Sequence, residues 1–470
     1  MNVLTKRTLQ ASIRSMLTMR QLGWVCVGLC LAFGPVAARA ADTNLLVWHR
    51  TTDRVDADVR DMALWPLLEK IALDAGWRIY VEPGVTHAVS AKFKNLPSIE
   101  ALRMLFGDLN FALVPQTNAV PRLYVFRTER QNATQLVRAP KAAARHVANE
   151  LLVKLKPGAD IDALAKLLGA KVIGRDDKLG IYRLQFADAG ATDAALARLQ
   201  NNSDVLAVDY NYIFDPPATP QLLANAPVGP VSLTLDPATT GDPCNPIIGL
   251  PDTAVQSLGS QLDPFMLKPI SVAGDAGTNT STLTHGTAMA ETILRAVAQA
   301  GGGSSSVRIL SVDVYGSDAT TTSWNVALGI KAAVDNGATI INLSLGSPSD
   351  SAVLDSVIQQ AIAAGIPVYA AAGNQPVSTP TYPAAAPGVI AVTATQGGQL
   401  APYANFGSFV SLAMPGASVV YLGGQAYVIQ GTSPATAYAT GVAAGTKGVD
   451  CLPWTQIQSS MQKKFAVPAK

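Results

Sequence analysis

A C-terminal α/β domain on a doubly wound, mostly parallel sheet, preceded by two small α+β domains, is the architecture this 470-residue sequence predicts. Three observations lead there. From residue 247 onward, short apolar runs alternate with helical segments, the pattern of buried strands joined by crossover helices. Charge is also uneven. Residues 41–240 carry 22 Lys/Arg and 22 Asp/Glu, whereas 241–470 carry 8 and 11, as a large core with closely packed helices requires. Residues 149–214, finally, follow a β-α-β-β-α-β order, which is ferredoxin-like. A net charge of +2 gives no electrostatic case for nucleic acid as a partner or for an anionic membrane.

Residues 1–40 read as a signal peptide. Lys6, Arg7, Arg14 and Arg20 form a basic segment, Leu22 to Phe33 an apolar one, and Ala38-Arg39-Ala40 a small-x-small cleavage site. The apolar run is short for a bilayer span and ends at Gly34-Pro35. The expected product is exported, either periplasmic or secreted. Cys26 and Cys30 leave with the signal, so Cys244 and Cys451 remain, flanking the charge-poor half. An oxidising compartment permits a disulfide between them; two unpaired buried thiols are the alternative.

Residues 43–130 form the first small domain. It has helices at LWPLLEKIALDAG and SIEALRMLFGD and strands at WRIYVEP, AVSAKFK, FALVPQ and LYVFR. Residues 131–148 read as a linker and 149–214 as the second domain. Residues 215–246, with eight prolines and little periodicity, read as an exposed connector. The large domain, 247–470, has strands at IIGL, VRILSVDVYG, ATIINLSLG, IPVYAAAGN and GVIAVTAT. Its helices begin at Thr284, at NVALGIKAAVDNG, at SAVLDSVIQQAIAAG and after Ser433.

Chemistry concentrates in the large domain. In GTSPATAYATG, Ser433-Pro434 reads as an N-cap and first helical residue, which also sets a hydroxyl among unpaired helix N–H groups. Of four histidines, only His285, in HGTAMAETILRA, opens a helix beside a cleft. Asp252 ends a short apolar strand, at the sheet edge where catalytic groups gather in open α/β folds. Asp275 in a Gly-rich loop and Asp313 inside a strand are the other acid candidates. Asn374 ends VYAAAGN at the same edge, where a side-chain amide can donate to a developing oxyanion.

In chain order these are Asp252-Thr253, His285-Gly286-Thr287, Ser344-Leu345-Gly346, Gly373-Asn374 and Gly431-Thr432-Ser433. With NLSLGSPSD, YPAAAPGVIAVTA and MPGASV between them, they resemble the subtilisin-like serine proteases, the subtilases, over roughly residues 245–447. Successive separations of 33, 89 and 59 residues from Asp252 through His285 and Asn374 to Ser433 are of the family's kind. The resemblance implies Ser433 as nucleophile, His285 as base, Asp252 as its orienting acid, and Asn374 with the Ser433 N–H as oxyanion donors. It also implies Ser344, Leu345 and Gly346, facing Ala371, Ala372 and Gly373, as walls of the primary specificity pocket. The substrate would be a protein or peptide and no cofactor is required. A structural calcium ion is compatible with the family, although no calcium-ligand spacing occurs in the sequence.

Residues 149–214 resemble a subtilase propeptide, an intramolecular inhibitor and folding chaperone. That implies autocleavage in or near NYIFDP or in the Pro-rich connector; a permanently attached domain is the alternative. Through VRDMALWPLLEKIALDAGW, residues 43–130 resemble the short N-terminal domain of secretins and TonB-dependent receptors. This implies a Gram-negative envelope and an envelope protein partner, where a plain βα module is the alternative.

The chain departs from the family in several places. DTA, preceded by Pro251, stands for the usual DTG and could shift Asp252. Pro434 follows the serine directly, and Ala437 stands where the family has proline. Glu291 replaces a small residue, and the catalytic region is short. The sequence therefore reads as an exported serine endopeptidase matured by prodomain autocleavage, with a catalytically inactive peptide-binding or regulatory envelope protein as the alternative. An esterase or peptide ligase on the same triad is a narrower third reading.

Overall fold

The computed structural model describes residues 45–468 except 50–52, 76, 116–120, 138–144, 216, 224–232, 234, 239–243, 260–261, 275–281 and 302. The expected signal peptide and Asp275 lie outside the described residues. The chain divides into two compact units, 1–138 and 139–470.

The first unit runs β1 (Leu45–His49), β2 (Arg54–Ala63), α1 (Leu64–Ala75), β3 (Arg78–Val81), β4 (Ala88–Pro97), α2 (Ser98–Phe106), β5 (Asn110–Val114), β6 (Arg122–Phe126) and β7 (Gln135–Val137). Its two sheets are ordered β1-β2-β4 and β5-β6-β3-β7. Leu67, Leu68 and Ile71 of α1 meet Leu102, Leu105 and Phe106 of α2 in one core. Three strands, β1, β2 and β7, lie outside the expected ones. β2 buries only alternate Val55, Ala57 and Val59 behind charged neighbours, so its apolar signal in sequence is weak. β7, inside the expected linker 131–148, pairs antiparallel with β3 and buries Val137.

The second unit opens with β8 (His146–Leu155), α3 (Ile161–Leu168), β9 (Lys171–Asp176), β10 (Ile181–Gln185), α4 (Ala189–Leu199) and β11 (Val205–Phe214). The antiparallel order β11-β8-β10-β9 is the ferredoxin-like one. Asp160 and Asp188 cap its two helices by accepting first-turn N–H groups.

The proline-rich connector holds two short strands, β12 (Gln221–Leu222) and β13 (Asp236–Pro237). Then come β14 (Ile247–Asp252), β15 (Ile270–Ser271), α5 (His285–Gly301), β16 (Ser304–Ser305), β17 (Arg308–Asp313), β18 (Thr321–Thr322) and α6 (Ser323–Asp335). They are followed by β19 (Ile340–Leu343), α7 (Ala352–Ala363), β20 (Val368–Ala371), β21 (Ile390–Gln396), β22 (Gln399–Leu400) and β23 (Leu412–Pro415). The hairpin β24 (Ala417–Leu422) and β25 (Gln425–Gln430) leads into α8 (Thr432–Asp450) and α9 (Trp454–Lys464). The main sheet is ordered β15-β17-β14-β19-β20-β21-β22, with β23 beside β21. All its pairings are parallel except β21 with β22.

Helices cover both faces, so the sheet is doubly wound. Residues of α5 and α8 share a core with Ile248 and Leu250 on one face; α6 and α7 share another with Val312 and Ile341. Charge poverty serves the first contact. A Cβ at Gly445 would lie 2.9 Å from Ala300 Cβ, and one at Gly441 2.6 Å from Ala296 Cβ, so α5 and α8 touch nearly backbone to backbone. Cys244, before β14, and Cys451, after α8, are disulfide-bonded with Cα atoms 5.5 Å apart.

The ferredoxin-like domain shares the α6/α7 core, contributing Leu152, Ile181 and Phe214. Its last strand also supplies helix caps. Asn211 Oδ1 accepts Trp324 N–H (3.1 Å) at the start of α6, and Asp209 Oδ2 accepts Val353 N–H (2.8 Å) at the start of α7. Each satisfies a first-turn donor that has no intrahelical acceptor. Burial nevertheless pushes the Asp209 carboxyl up to about 6. On α7, burial and the facing Asp350 carboxylate push Asp355 up to about 7.

Two predictions follow from this packing. Cys244→Ser with Cys451→Ser should lower the unfolding free energy in urea by about 2–4 kcal/mol through the lost loop constraint. The Asp209–Asp350–Asp355 group should make the interdomain contact pH-dependent. Both carboxyls titrate above their unfolded value of 3.8, so the stability they contribute is full at low pH and falls as pH rises through about 6 and 7. In the full chain, Asp355→Asn should raise Tm more at pH ~8 than at pH ~5. An equal shift at both pH values refutes it.

Candidate active site

Parallel pairing sets Asp252, at the end of β14, in register with Asp313, at the end of β17. The two carboxylates then part company. Asp313 turns into its own loop, accepting the N–H groups of Tyr315 and Gly316 at 3.0 Å each. Asp252 turns to the start of α5, its oxygens 2.8 and 3.0 Å from His285 Nδ1. Asp252 is 1 % and His285 4 % exposed, so this pair is shielded from water. The competing acid candidate is thereby engaged elsewhere, and burial raises its pKa despite the two amides.

Thr253 ties the acid to the helix that carries the histidine. Its N–H donates to Asp252 Oδ1 (2.7 Å) and its Oγ1 accepts Gly286 N–H (2.8 Å). A Cβ on Gly286 would overlap the Thr253 carbonyl, which explains the glycine after the histidine. Ala254, in place of the usual glycine, does not enter the left-handed region, so DTA leaves Asp252 in place. Its carbonyl accepts Thr284 Oγ1 at 2.7 Å.

Ser433 does not cap its helix. The N-cap is Gly431 at φ +150°, Thr432 is the first helical residue, and Ser433 and Pro434 follow. Few side chains tolerate that φ, and a Cβ there would sit 3.0 Å from Asn374 Nδ2. Pro434 costs no hydrogen bond, because first-turn N–H groups have no intrahelical acceptor. Asn374, after β20, turns Oδ1 to Thr432 N–H (2.8 Å), while Thr432 Oγ1 accepts Gly373 N–H (3.0 Å). The NH2 end of Asn374 is thus left beside the N-terminus of α8, where Ser433 offers its own N–H.

Ser433 is 8 % exposed, and its Oγ donates to the Ser344 carbonyl at 3.0 Å. His285 Nε2, also buried, has no hydrogen-bond partner among the described residues. The structure thus joins Asp252 to His285 and sets Ser433 beside Asn374, but it does not bond Ser433 to His285. Ser344 holds the Ser433 backbone too, since its Oγ donates to Ser433 O (3.0 Å). Behind it, Thr440 Oγ1 donates to Asn342 Oδ1 (2.9 Å) and Asn342 Nδ2 to Ser344 Oγ (2.9 Å), lacing α8 to β19.

The expected pocket walls face each other at Gly346, where a Cβ would stand 3.7 Å from the Ala371 carbonyl and 3.5 Å from that of Tyr382. Gly346 is exposed and Gly373 half-buried, whereas Ser344, Leu345, Ala371 and Ala372 are buried. Glu291 is buried in α5. It pairs with Arg295 (3.0 Å) and accepts Tyr421 N–H (2.8 Å), so it anchors the β24–β25 hairpin that delivers Gly431. The sequence motifs contain Thr432 without revealing its bonds and omit Asn405; these hydrogen bonds reach residues 58 and 30 positions away.

Residues 245–465 match the model of the Subtilase family, and residues 132–211 that of the Fervidolysin N-terminal prodomain. The thermophilic serine proteinase of Bacillus sp. (strain AK1) is 29% identical over 64% of this chain and 78% of that relative. Subtilisin BL of Lederbergia lenta is 35% identical over 37% of this chain and 66% of its own length. M-protease of Shouchella clausii (strain KSM-K16) is 35% identical over 37% and 47%. The chain thus spans between about half and four-fifths of these relatives. Fervidolysin of Fervidobacterium pennivorans, described as a keratinolytic enzyme related to subtilisin, shares the fold, with a TM-score of 0.52 at 18% identity over 68% of this chain and 57% of that one. On these matches residues 245–465 belong to the subtilase family of serine endopeptidases, preceded by a fervidolysin-type prodomain over residues 132–211.

Proposed function

We propose that the chain is an exported serine endopeptidase that works through Asp252, His285 and Ser433 and is matured by cutting off its own prodomain. The buried Asp252–His285 pair carries the reading. A carboxylate on Nδ1 fixes the tautomer that leaves Nε2 as a base and stabilises the imidazolium formed when Nε2 takes a proton. The remaining step is a rotation of Ser433 Oγ from the Ser344 carbonyl to Nε2. Such bonds are often unmade in free enzymes.

Ser433 Oγ then attacks the peptide carbonyl carbon while His285 Nε2 removes its proton. Asn374 Nδ2 and the Ser433 N–H receive the oxyanion. The C–N bond breaks as His285 returns the proton to the leaving amine. Water, deprotonated by the same nitrogen, hydrolyses the acyl ester and frees Ser433. The uncharged walls around Gly346 and Gly373 favour an uncharged side chain on the acyl side of the cut. The reaction itself needs no cofactor; a structural calcium ion remains compatible with the family.

Residues 146–214 act as the prodomain, covering the starts of α6 and α7, and the cut falls in the connector between Asp215 and Pro246. The signal peptide directs export to the periplasm or beyond, in a Gram-negative cell, with residues 45–137 docking on an envelope protein. One observation favours a second reading, an inactive peptide-binding protein: Ser433 Oγ is bonded to Ser344 rather than to His285.

Labelling by a fluorophosphonate separates the two. Modification at Ser433 that His285→Ala abolishes supports the enzyme, and an unlabelled chain supports the inactive protein. Ser433→Ala or His285→Ala should lower kcat on a peptide amide by about 10⁶-fold, the scale known for subtilisin itself. The wild-type chain should acquire a new N-terminus between residues 215 and 246 that Ser433→Ala lacks. Identical cutting of both would assign maturation to another protease.

A further inference from the structure

Asn374 can donate to an oxyanion only if the turn that carries it is held still. One side is held by Thr432. The other rests on Asn405, in the loop between β22 and β23, which is 0 % exposed. Its Oδ1 accepts the N–H of Gln375 at 2.8 Å and of Val377 at 3.3 Å. Its own N–H donates to the Gly373 carbonyl at 2.9 Å, and the next residue, Phe406, donates to the Val377 carbonyl at 3.0 Å. Thr393 of β21 in turn donates to the Asn405 carbonyl. Residues 373–377 are therefore pinned at four backbone groups, with Asn374 inside the pinned stretch.

The carboxamide is placed at a cost. Its Nδ2 is buried without a hydrogen-bond partner among the described residues, a state that buried amides avoid. It lies against Gly373, where φ is +102° and where a Cβ would overlap Nδ2. A side chain chosen only to fill this space would be apolar. What a carboxamide adds is one acceptor that reaches two amides of the turn.

We propose that Asn405 is a positioning residue for the oxyanion donor: its side chain fixes the 373–377 turn so that Asn374 Nδ2 and the Ser433 N–H converge on one point. This rests on the donor role given above to Asn374. Without Asn405 the turn relaxes, the NH2 group drifts from the oxyanion position, and a displacement on the order of 1 Å costs up to about 10²-fold in rate. Ground-state binding, set by the backbone around Gly346, should hardly change.

The test is a double-mutant cycle on the full chain, with kcat normalised to sites titrated by a fluorophosphonate and a chromogenic peptide amide as substrate. Asn374→Ala should lower kcat about 10²–10³-fold, as for the equivalent amide in subtilisin. Asn405→Ala should lower kcat about 10–100-fold with KM within about twofold. Added to Asn374→Ala, it should cost less than about threefold more, because a lost donor no longer needs positioning. Full additivity, or a change in KM alone, overturns the proposal while leaving the donor role intact. If Asn374→Ala alone costs less than tenfold, the donor role itself fails. Asn405→Ser, with a smaller side chain that still offers an oxygen, repeats the cycle if the alanine variant does not fold. Loss of the fold in both assigns Asn405 to stability and also overturns the proposal.

Discussion

The geometry near Ser433 depends on how the first turn of α8 is held. A helix N-terminus presents unpaired N–H groups and the positive end of its dipole, so it stabilises an anion only if some donors stay free. Here one donor, on Thr432, is spent on Asn374 Oδ1, and Pro434 has none to offer. The bond to Thr432 orients the Asn374 amide, so the same contact that fixes the helix start also turns Nδ2 outward. Gly431 makes this join possible, because the chain leaves β25 and enters α8 at a φ suited to glycine. Lengthening that passage by one residue would rotate Ser433 about the helix axis by roughly 100°.

The same logic applies where the ferredoxin-like domain meets α6 and α7. Arg183 forms a two-point bond with buried Glu150, Glu150 accepts Asn211 Nδ2 (2.7 Å), and the other end of Asn211 meets α6. That chain fixes which way the carboxamide faces. With this domain absent, Trp324 N–H and Val353 N–H would have to find water or other acceptors. If the connector were cut, these contacts would still hold the domain on α6 and α7.

Much of this was legible in the sequence, for a physical reason. Buried parallel strands must be apolar throughout and crossover helices must be amphipathic, so the large domain declared itself by alternation. Asp252, His285, Ser433 and Asn374 could be located because each sits where a strand ends or a helix begins. What escaped was non-local. Nothing in LAPYANFG says that Asn405 reaches back to Gln375, and nothing in VDYNY says that Asp209 and Asn211 cap helices more than 100 residues later. The cap itself was misread by two residues, because Ser-Pro mimics a helix start and only the backbone at Gly431 reveals the true one. β2 was missed because half of its face is charged.

Between Asp355 and Lys447 the sequence contains no Asp, Glu, Lys, Arg or His. That stretch supplies β20, β21, Asn374 and the start of α8, so Asn374 and the Ser433 N–H lie in a run of uncharged residues that offers only neutral dipoles. No cation and no carboxylate of that stretch therefore stands beside His285 or Asn374. In a buried site such fixed dipoles act at low effective dielectric and need no rearrangement as charge develops. Glu291, the one carboxylate in the buried first turns of α5, respects the same constraint: Arg295 and Tyr421 N–H hold its charge at the hairpin, turned away from the sheet edge where Asp252 works. The absence of charge that marked this half as a core in the sequence also means that the buried Asp252–His285 pair meets no charged side chain from residues 356–446.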